Sequence, residues 1–514
     1  MSALATFFEL LLKYRTRSNA YKILLAIAIY YVYKYRSHAI GTRPRPDLKE
    51  PKGALPLIGH LGMLASVKLT EIHQLVEKQY NDLGPVWSLS LPGFGRMIQI
   101  DRPENIEHVL KTNFSNYGKG QAFVNIVSEF VGSGIFTADG AKWKFQRQLA
   151  SNIFKIKAFS EYTSNVFVVI GKKLTDILGR AADEGTVIDL QKLFLHFTLD
   201  AFGAVSYGES FGCLDNIDQV VPFAEAIDDA FDICFKRAHD PLWKIKERLN
   251  GVSKRAERNK QILRNYAQDI MNKRRREGYH GEKKDLLQLL MEGEDEEGNP
   301  LSDDFIIDGI ITFTIGGRDT TALALTWMFY LLLRDGADPE NMEKLFQEVD
   351  DVVQGSHPTY ETHKKQKYAE ACFHEALRVF PIVPRNIRCC EKDDILPDGT
   401  KVYAGEWVTW STYAMGRSEL VWGPDAKEYK PSRWINTEKP SQSKFNSFHA
   451  GPRVCLGQQF ATIEALTIIA MVLQSFNLEL EDPFRVPTYK PSLIFPMDGG
   501  LNVRVSRRSG ATAL

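Results

Sequence analysis

Two segments of this sequence are apolar on almost every face, and they set its plan. Residues 23–33 (ILLAIAIYYVY) form an uncharged run with Lys22 before it and Lys34, Arg36, Arg43 and Arg45 after it. Residues 302–334 form a longer one, with Ser302 placed as an N-cap, Asp303 and Asp304 in the first turn and Gly336 just past the end. A helix that is hydrophobic all round has to be buried, in a protein core or in lipid. Elsewhere the pattern is mixed. Short alternating pieces bounded by turn residues predict strands over 86–91 and 97–100, and helical spacing then dominates from about 105 to 379. A second strand-rich stretch covers 387–410 around the turn Pro397-Asp398-Gly399. Another helix starts after Gly457 and runs to about Leu473, and the chain ends in short strands. The expected fold class is mainly α with small β-sheets at one side.

The first apolar run is eleven residues long, short of the ~20 that cross a bilayer. Lys22 and Lys34 can snorkel, and residues 18–21 can extend it. No small-residue cleavage site follows, which argues against a removed signal peptide. Instead come Pro44, Pro46, Pro51 and Pro56, a series that reads as a stiff hinge. An earlier apolar stretch, 3–12, suits a position flat in the membrane interface. The expected organisation is an N-terminal membrane-anchor helix (1–40), a proline-rich hinge (41–60) and a catalytic domain (61–514) on the basic, cytoplasmic side.

Lys plus Arg and Asp plus Glu number 64 each, so no net field favours nucleic acid. The basic run Lys273-Arg274-Arg275-Arg276, followed by acidic residues from Glu292 to Glu297, reads as a solvated loop between helices. Six cysteines (213, 234, 372, 389, 390, 455) lie scattered without Cys-x-x-Cys, as reduced cytosolic thiols would. Cys389 and Cys390 read as incidental strand residues. The sequon at Asn113 is of a length that arises often by chance.

The strongest chemistry lies in Phe448-His449-Ala450-Gly451-Pro452-Arg453-Val454-Cys455-Leu456-Gly457. A thiolate ligand to haem iron needs N–H donors, a helix N-terminus and positive charge beside it. Gly451 and Gly457 let the backbone wrap closely, the following helix aims its N-terminal dipole at the sulfur, and Arg453 suits a propionate. A buried structural cysteine would explain Cys455 but not those neighbours. Glu375 and Arg378, at i and i+3, share a helix face and can form a bidentate pair. His374-Glu375 also suggests His-Glu-x-x-His zinc binding, which Arg378 excludes. Within the long apolar helix, Gly316-Gly317-Arg318-Asp319-Thr320 places two glycines where something must approach the backbone, with an acid and an alcohol suited to proton delivery. A packing notch, with Thr320 bonded to a carbonyl one turn back, is the alternative.

The cysteine segment resembles the haem-binding signature of the cytochrome P450 family at every fixed position, and three further motifs occur in the family's order from about residue 50 to the end. The resemblance implies haem b (iron protoporphyrin IX) with axial Cys455, and the cytochrome P450 fold. It implies that Thr320 hydrogen-bonds bound oxygen or a water, and that Asp319 helps supply protons. It pairs Glu375 and Arg378 with Arg433 of Pro431-Ser432-Arg433-Trp434 as a structural brace. In Trp143-x-x-x-Arg147 it implies propionate contacts, and Arg388 is a further propionate candidate. Phe448, Gly451 and Gly457 complete the cofactor loop. Phe123, Ile315, Val383 and Ile494 are substrate-pocket candidates by position, each equally credible as core.

Neither Gly-x-Gly-x-x-Gly nor a P-loop occurs, and the 514 residues are accounted for without a flavin domain. Electrons are therefore expected from outside, from NADPH–cytochrome P450 reductase at the endoplasmic reticulum, with Lys142 and Lys144 as docking candidates. Stretches 134–140, 396–400 and 413–417 resemble the branch of fungal alkane and fatty-acid hydroxylases. That implies dioxygen-dependent hydroxylation of a long-chain fatty acid or alkane at or near its terminal carbon. Oxidation of a terpenoid, polyketide or aromatic by the same chemistry is the alternative. Peroxide rearrangement without dioxygen and a non-catalytic membrane haem carrier or sensor are the rival classes; Asp319-Thr320 argues against the first of these.

Overall fold

The computed structural model describes residues 17–154, 157–280, 284–295 and 297–509. Its longer helices are α1 (Arg17–Lys34), α2 (Ile72–Leu83), α3 (Gln121–Val131), α4 (Gly140–Phe154), α5 (Lys157–Glu184) and α6 (Leu190–Tyr207). They continue with α7 (Pro222–His239), α8 (Val252–Glu277), α9 (Asp303–Leu333), α10 (Pro339–Val353), α11 (Lys367–Val379) and α12 (Gln458–Ser475). The strands β1 (Val86–Leu91), β2 (Gly95–Ile100), β3 (Tyr117–Gly118), β5 (Arg385–Cys390) and β8 (Trp407–Ser411) form one sheet, in the order β1-β2-β8-β5-β3. A second sheet sets β10 (Asn502–Arg507) between β4 (Val187–Asp189) and β9 (Phe476–Leu480), and β6 (Asp394–Ile395) pairs with β7 (Lys401–Val402). The mainly helical class with small sheets is what the pattern predicts.

The long apolar run becomes α9, and the predicted cap holds: the Ser302 hydroxyl accepts from the Phe305 N–H at 3.3 Å. Apolar residues around its full circumference are buried because α6, α8, α11 and α12 pack on different sides of it. Near its C-terminal end Trp327 stacks on Phe380 (centroids 3.9 Å apart) and donates to the Phe495 carbonyl at 2.7 Å. α9 is therefore a rigid rod against which any site on its surface is fixed.

The five-stranded sheet orients the other wall. Arg388 of β5 lies opposite Val408 of β8, and Gly118 of β3 lies opposite Cys389. This register brings Lys119, next after β3, alongside Arg388, a juxtaposition of residues far apart in the chain.

Three expectations change. Residues 23–33 fall inside α1, whose Tyr21, Leu24, Leu25, Ile29 and Tyr33 are exposed, yet no helix among the described residues is long and apolar enough to cross a membrane. The apolar stretch 3–12 lies outside the described residues. The proline-rich segment is docked: Ala39 and His60 are buried, Ala39 bridges Leu57, and Arg45 donates to Glu406 at 2.7 Å. The basic run is not a loop but the last turns of α8, because three of its four charges find acceptors on other elements. Arg274 pairs with Asp285 (2.6 Å), Arg275 with Asp303 (2.6 Å) and Lys273 with Glu209. The Asn113 side-chain amide donates to Asp394 at 3.0 Å, so the sequon nitrogen is already engaged.

Candidate active site

Cys455 sits on a tight loop that ends at the N-cap of α12. Its N–H donates to the Phe448 carbonyl at 2.8 Å, and Gly457 caps the helix. Gly451 is required twice over: its φ is +63°, and a Cβ there would lie 2.1 Å from the Leu110 carbonyl oxygen. The expectation that it wraps round the sulfur is thus corrected; it seats the loop on Leu110. Gly457 does lie at the thiol, its Cβ position 4.0 Å from Cys455 Sγ. All six cysteines are free, and Cys455 alone is exposed among them. That exposure is to a cavity, since protein surrounds the thiol. Burial pushes its pKa up, while the Gly457 N–H and the Arg147 charge pull it back.

The cavity has a volume of about 410 Å³. Cys455, Phe448 and Gly457 lie on one wall, and Thr320, Gly316 and Gly317 of α9 also line it. Its apolar lining includes Phe123, Phe136, Phe202, Phe313 and Val383. Of the four pocket candidates, Phe123 and Val383 line it, whereas Ile315 and Ile494 do not; both are buried in the main core. The miss at Ile315 is helical geometry, because neighbouring residues point about 100° apart and Gly316 faces the cavity.

The two glycines of α9 have different reasons. A Cβ on Gly317 would meet the Phe202 ring of α6 at 2.1 Å, so Gly317 is a packing notch, whereas Gly316 opens to the cavity with Phe136 at 3.8 Å. The Thr320 hydroxyl donates to the Gly316 carbonyl at 2.8 Å, which leaves its oxygen free to accept from the cavity. Asp319 lies off the cavity wall, 1% exposed. Arg318 Nη1 donates to its Oδ1 at 2.8 Å, and among the described residues nothing donates to Oδ2. Burial pushes this carboxyl up to about 7, despite the pull of Arg318. Arg318 also reaches Asp228 of α7 at 2.6 Å, on a side chain 58% exposed.

Glu375, Arg378 and Arg433 come together. Arg378 grips Glu375 with Nε–Oε2 at 2.8 Å and Nη2–Oε1 at 2.7 Å, both residues buried. Arg378 also donates to the carbonyls of Gly416, Ala426 and Glu428. Glu375 accepts from the Lys430 N–H (2.9 Å) and the Trp434 indole (2.8 Å), with Arg433 Nε at 3.5 Å. From the same helix the Leu377 carbonyl accepts from Ser447, tying the brace to the cysteine loop.

The rim around Cys455 is cationic. Trp143 and Arg147 come from one face of α4, and Arg453 lies 4.4 Å over the Trp143 ring and bonds Asp139. Arg388 reaches His449 Nε2 at 2.8 Å. Burial lowers Arg388 to about 9 and Arg453 to about 10, and it drives Lys119 and His449 well below their usual values. Lys119, Arg388 and Arg453 thus share the carboxylate of Asp139, while the charge of Arg147 acts on the Cys455 thiol. Sequence reasoning missed Lys119 and His449. His449 sits at a variable position of the motif, and nothing local marks Lys119, which only the β3–β5 pairing delivers.

Buried cations without counter-charge are costly unless a ligand supplies it. A flat apolar macrocycle carrying two carboxylates fits a cavity with an apolar interior, a cationic rim and a thiol on its wall, which places this protein among the haem-thiolate proteins. Comparison with known proteins agrees. A model described as "Cytochrome P450" matches residues 49–499, and the chain belongs to the cytochrome P450 family. It is 36% identical over 508 residues to cytochrome P450 monooxygenase cyp1 of Mycosarcoma maydis, covering 93% of this chain and 78% of that one. To Arabidopsis thaliana cytochrome P450 94B3 it is 37% identical over 448 residues (83% and 86% of the two chains), and to cytochrome P450 86B1 of the same plant 32% over 489 (88% and 86%). The protein is a monooxygenase of that haem-thiolate family, with Cys455 available as the axial ligand.

Proposed function

We propose that this enzyme hydroxylates a long-chain fatty acid or alkane at or near its terminal carbon, using dioxygen and electrons from NADPH–cytochrome P450 reductase. The observation that carries the reading is the cavity between Cys455 and α9, whose phenylalanines and Val383 form an apolar wall that suits an aliphatic chain. Bound there through Cys455, haem b supplies dioxygen activation and insertion of one oxygen atom into a C–H bond.

The chain's own residues prepare that chemistry. Lys119, Arg147, Arg388 and Arg453 hold the propionates, with Trp143 packing Arg453 in place. Glu375, Arg378 and Arg433 fix the segment that positions the cysteine loop. Thr320 accepts a hydrogen bond at the cavity wall. Asp319, poised near neutrality, gives and takes a proton through its unpaired Oδ2. The Phe202, Phe136 and Phe313 side chains exclude water.

The domain plan extends this reading: α1 associates with the endoplasmic-reticulum membrane through its exposed Tyr21, Leu24, Leu25 and Ile29, the segment 41–60 leads from it to the catalytic domain, and a lipid-partitioned substrate enters from that side. Lys142 and Lys144, exposed on α4 either side of Trp143, offer charge to an acidic reductase face.

The test is turnover of hexadecanoic acid and hexadecane by the reconstituted enzyme with reductase, NADPH and oxygen-18-labelled dioxygen. One labelled oxygen in a terminal or near-terminal alcohol is expected. Unlabelled product, or turnover without reductase, contradicts monooxygenation; labelled product from terpenoids alone contradicts the aliphatic assignment.

A further inference from the structure

Five cations line the cavity: Lys119, Arg147, Arg385, Arg388 and Arg453. Four belong to the rim around Cys455, since Arg147 acts on the thiol and the other three act on one another or on Asp139. Arg385 stands apart. It opens β5, opposite Ser411 of β8, and the titratable groups around it are Tyr80 and His73 of α2 and His239 of α7.

Among the described residues no carboxylate and no hydrogen-bond acceptor reaches the Arg385 guanidinium. The neighbouring Arg417 makes the contrast. It stacks 3.7 Å over the Tyr413 ring, donates to the Tyr413 carbonyl and faces Glu77. Asn386, next to Arg385, spends its amide on Thr412 Oγ1 at 3.0 Å. Burial holds His73 and His239 below their usual range, so both are neutral near pH 7 and add no charge of their own. A fork of donors is therefore presented to an otherwise apolar wall formed by Phe123, Ile382, Val383 and Ile387. A buried guanidinium is stable only when paired, and its planar fork matches a carboxylate.

We propose that Arg385 is the substrate-carboxylate residue of this cavity, gripping the acid group of a long aliphatic acid through paired N–H donors while the chain lies along the apolar wall. The proposal rests on the aliphatic-substrate reading above and narrows it: acids are preferred over alkanes, and the acid group is held away from the propionate rim.

Titration of the haem-loaded, full-length protein with dodecanoic acid and with methyl dodecanoate, read by the substrate-induced haem spectrum and by calorimetry, tests it. Arg385→Ala is expected to weaken the acid between about tenfold and a hundredfold, the range of a lost charged hydrogen-bond pair, and the ester by under about threefold. Arg385→Lys recovers part of the acid's affinity, as a point charge without the fork would. Arg385→Gln, which keeps bulk and polarity, behaves like the Ala variant and serves if that variant folds poorly. Equal loss for acid and ester, or no loss for either, overturns the carboxylate site and leaves the aliphatic reading standing. Failure of the unaltered protein to bind either ligand overturns both.

Discussion

Two clusters of buried charge lie behind and around Cys455, and they are settled in opposite ways. In the brace, Glu375 and Arg378 are buried, yet each of their donors and acceptors has a protein partner: Arg378 spends its guanidinium on Glu375 and three carbonyls, and Glu375 also accepts from a backbone N–H and an indole, with Arg433 3.5 Å away. In and beside the cavity, three cations share Asp139, and among the described residues Arg385 meets no acceptor and Asp319 keeps an unpaired oxygen. The first cluster is complete within the chain. The second is complete only with ligands. Buried ionic groups that are fully paired hold a structure in place, whereas those left short are matched to something that arrives later.

The comparison breaks most visibly at Glu375. Glu375→Ala leaves the buried Arg378 charge with carbonyls but without the carboxylate that grips it, and the expected cost is about 3–5 kcal/mol of stability, seen as a lowered midpoint in denaturant unfolding and loss of haem incorporation. If that variant unfolds like the unaltered protein, the brace is not the fully paired element described here.

A rim cation should behave otherwise. Arg388→Gln removes an under-compensated charge, so the haem-free protein is expected to hold or gain stability, while haem transfer to an apo-acceptor quickens by about one to two orders of magnitude. A loss of apo-protein stability as large as that of Glu375→Ala would erase the distinction between the clusters.

A smaller effect isolates Asp319. Its folded pKa is raised from 3.8 to about 7, so its contribution to stability is intact below about 4 and is lost as pH climbs toward about 7. Relative to Asp319→Asn, the unaltered protein should lose stability across that window and stay level above it. The variant should also couple NADPH less tightly to product. A pH-independent stability difference between the two proteins would show that Asp319 is ionised throughout.

The smallest effect is at Asp228. It is half exposed, so Asp228→Asn should cost no more than about 1 kcal/mol, yet it should lower the Asp319 pKa, since loss of that negative charge leaves Arg318 to act on Asp319 alone.

These residues also mark where the sequence was readable. The brace and cysteine loop are legible because their chemistry is contiguous or spaced at i, i+3, and the length and caps of α9 follow from its apolar circumference. Partners joined by tertiary structure are not legible. Asp228 lies 90 positions from Arg318, Lys119 meets Arg388 only through strand pairing, and Arg385 becomes notable only when no carboxylate is found near it. The basic run 273–276 misleads for the same reason, since its balancing acids arrive from other elements. At Ile315 the position was one residue off the cavity-facing side of α9.

Both clusters are arranged around the Cys455 thiol, the available axial ligand to haem iron. The most direct test is the carbon-monoxide spectrum of the reduced full-length protein and of Cys455→Ser. The red-shifted Soret band that a thiolate ligand produces is expected in the first and absent in the second, with haem still retained by the rim. Persistence of that band in Cys455→Ser would rule out Cys455 as the thiolate ligand.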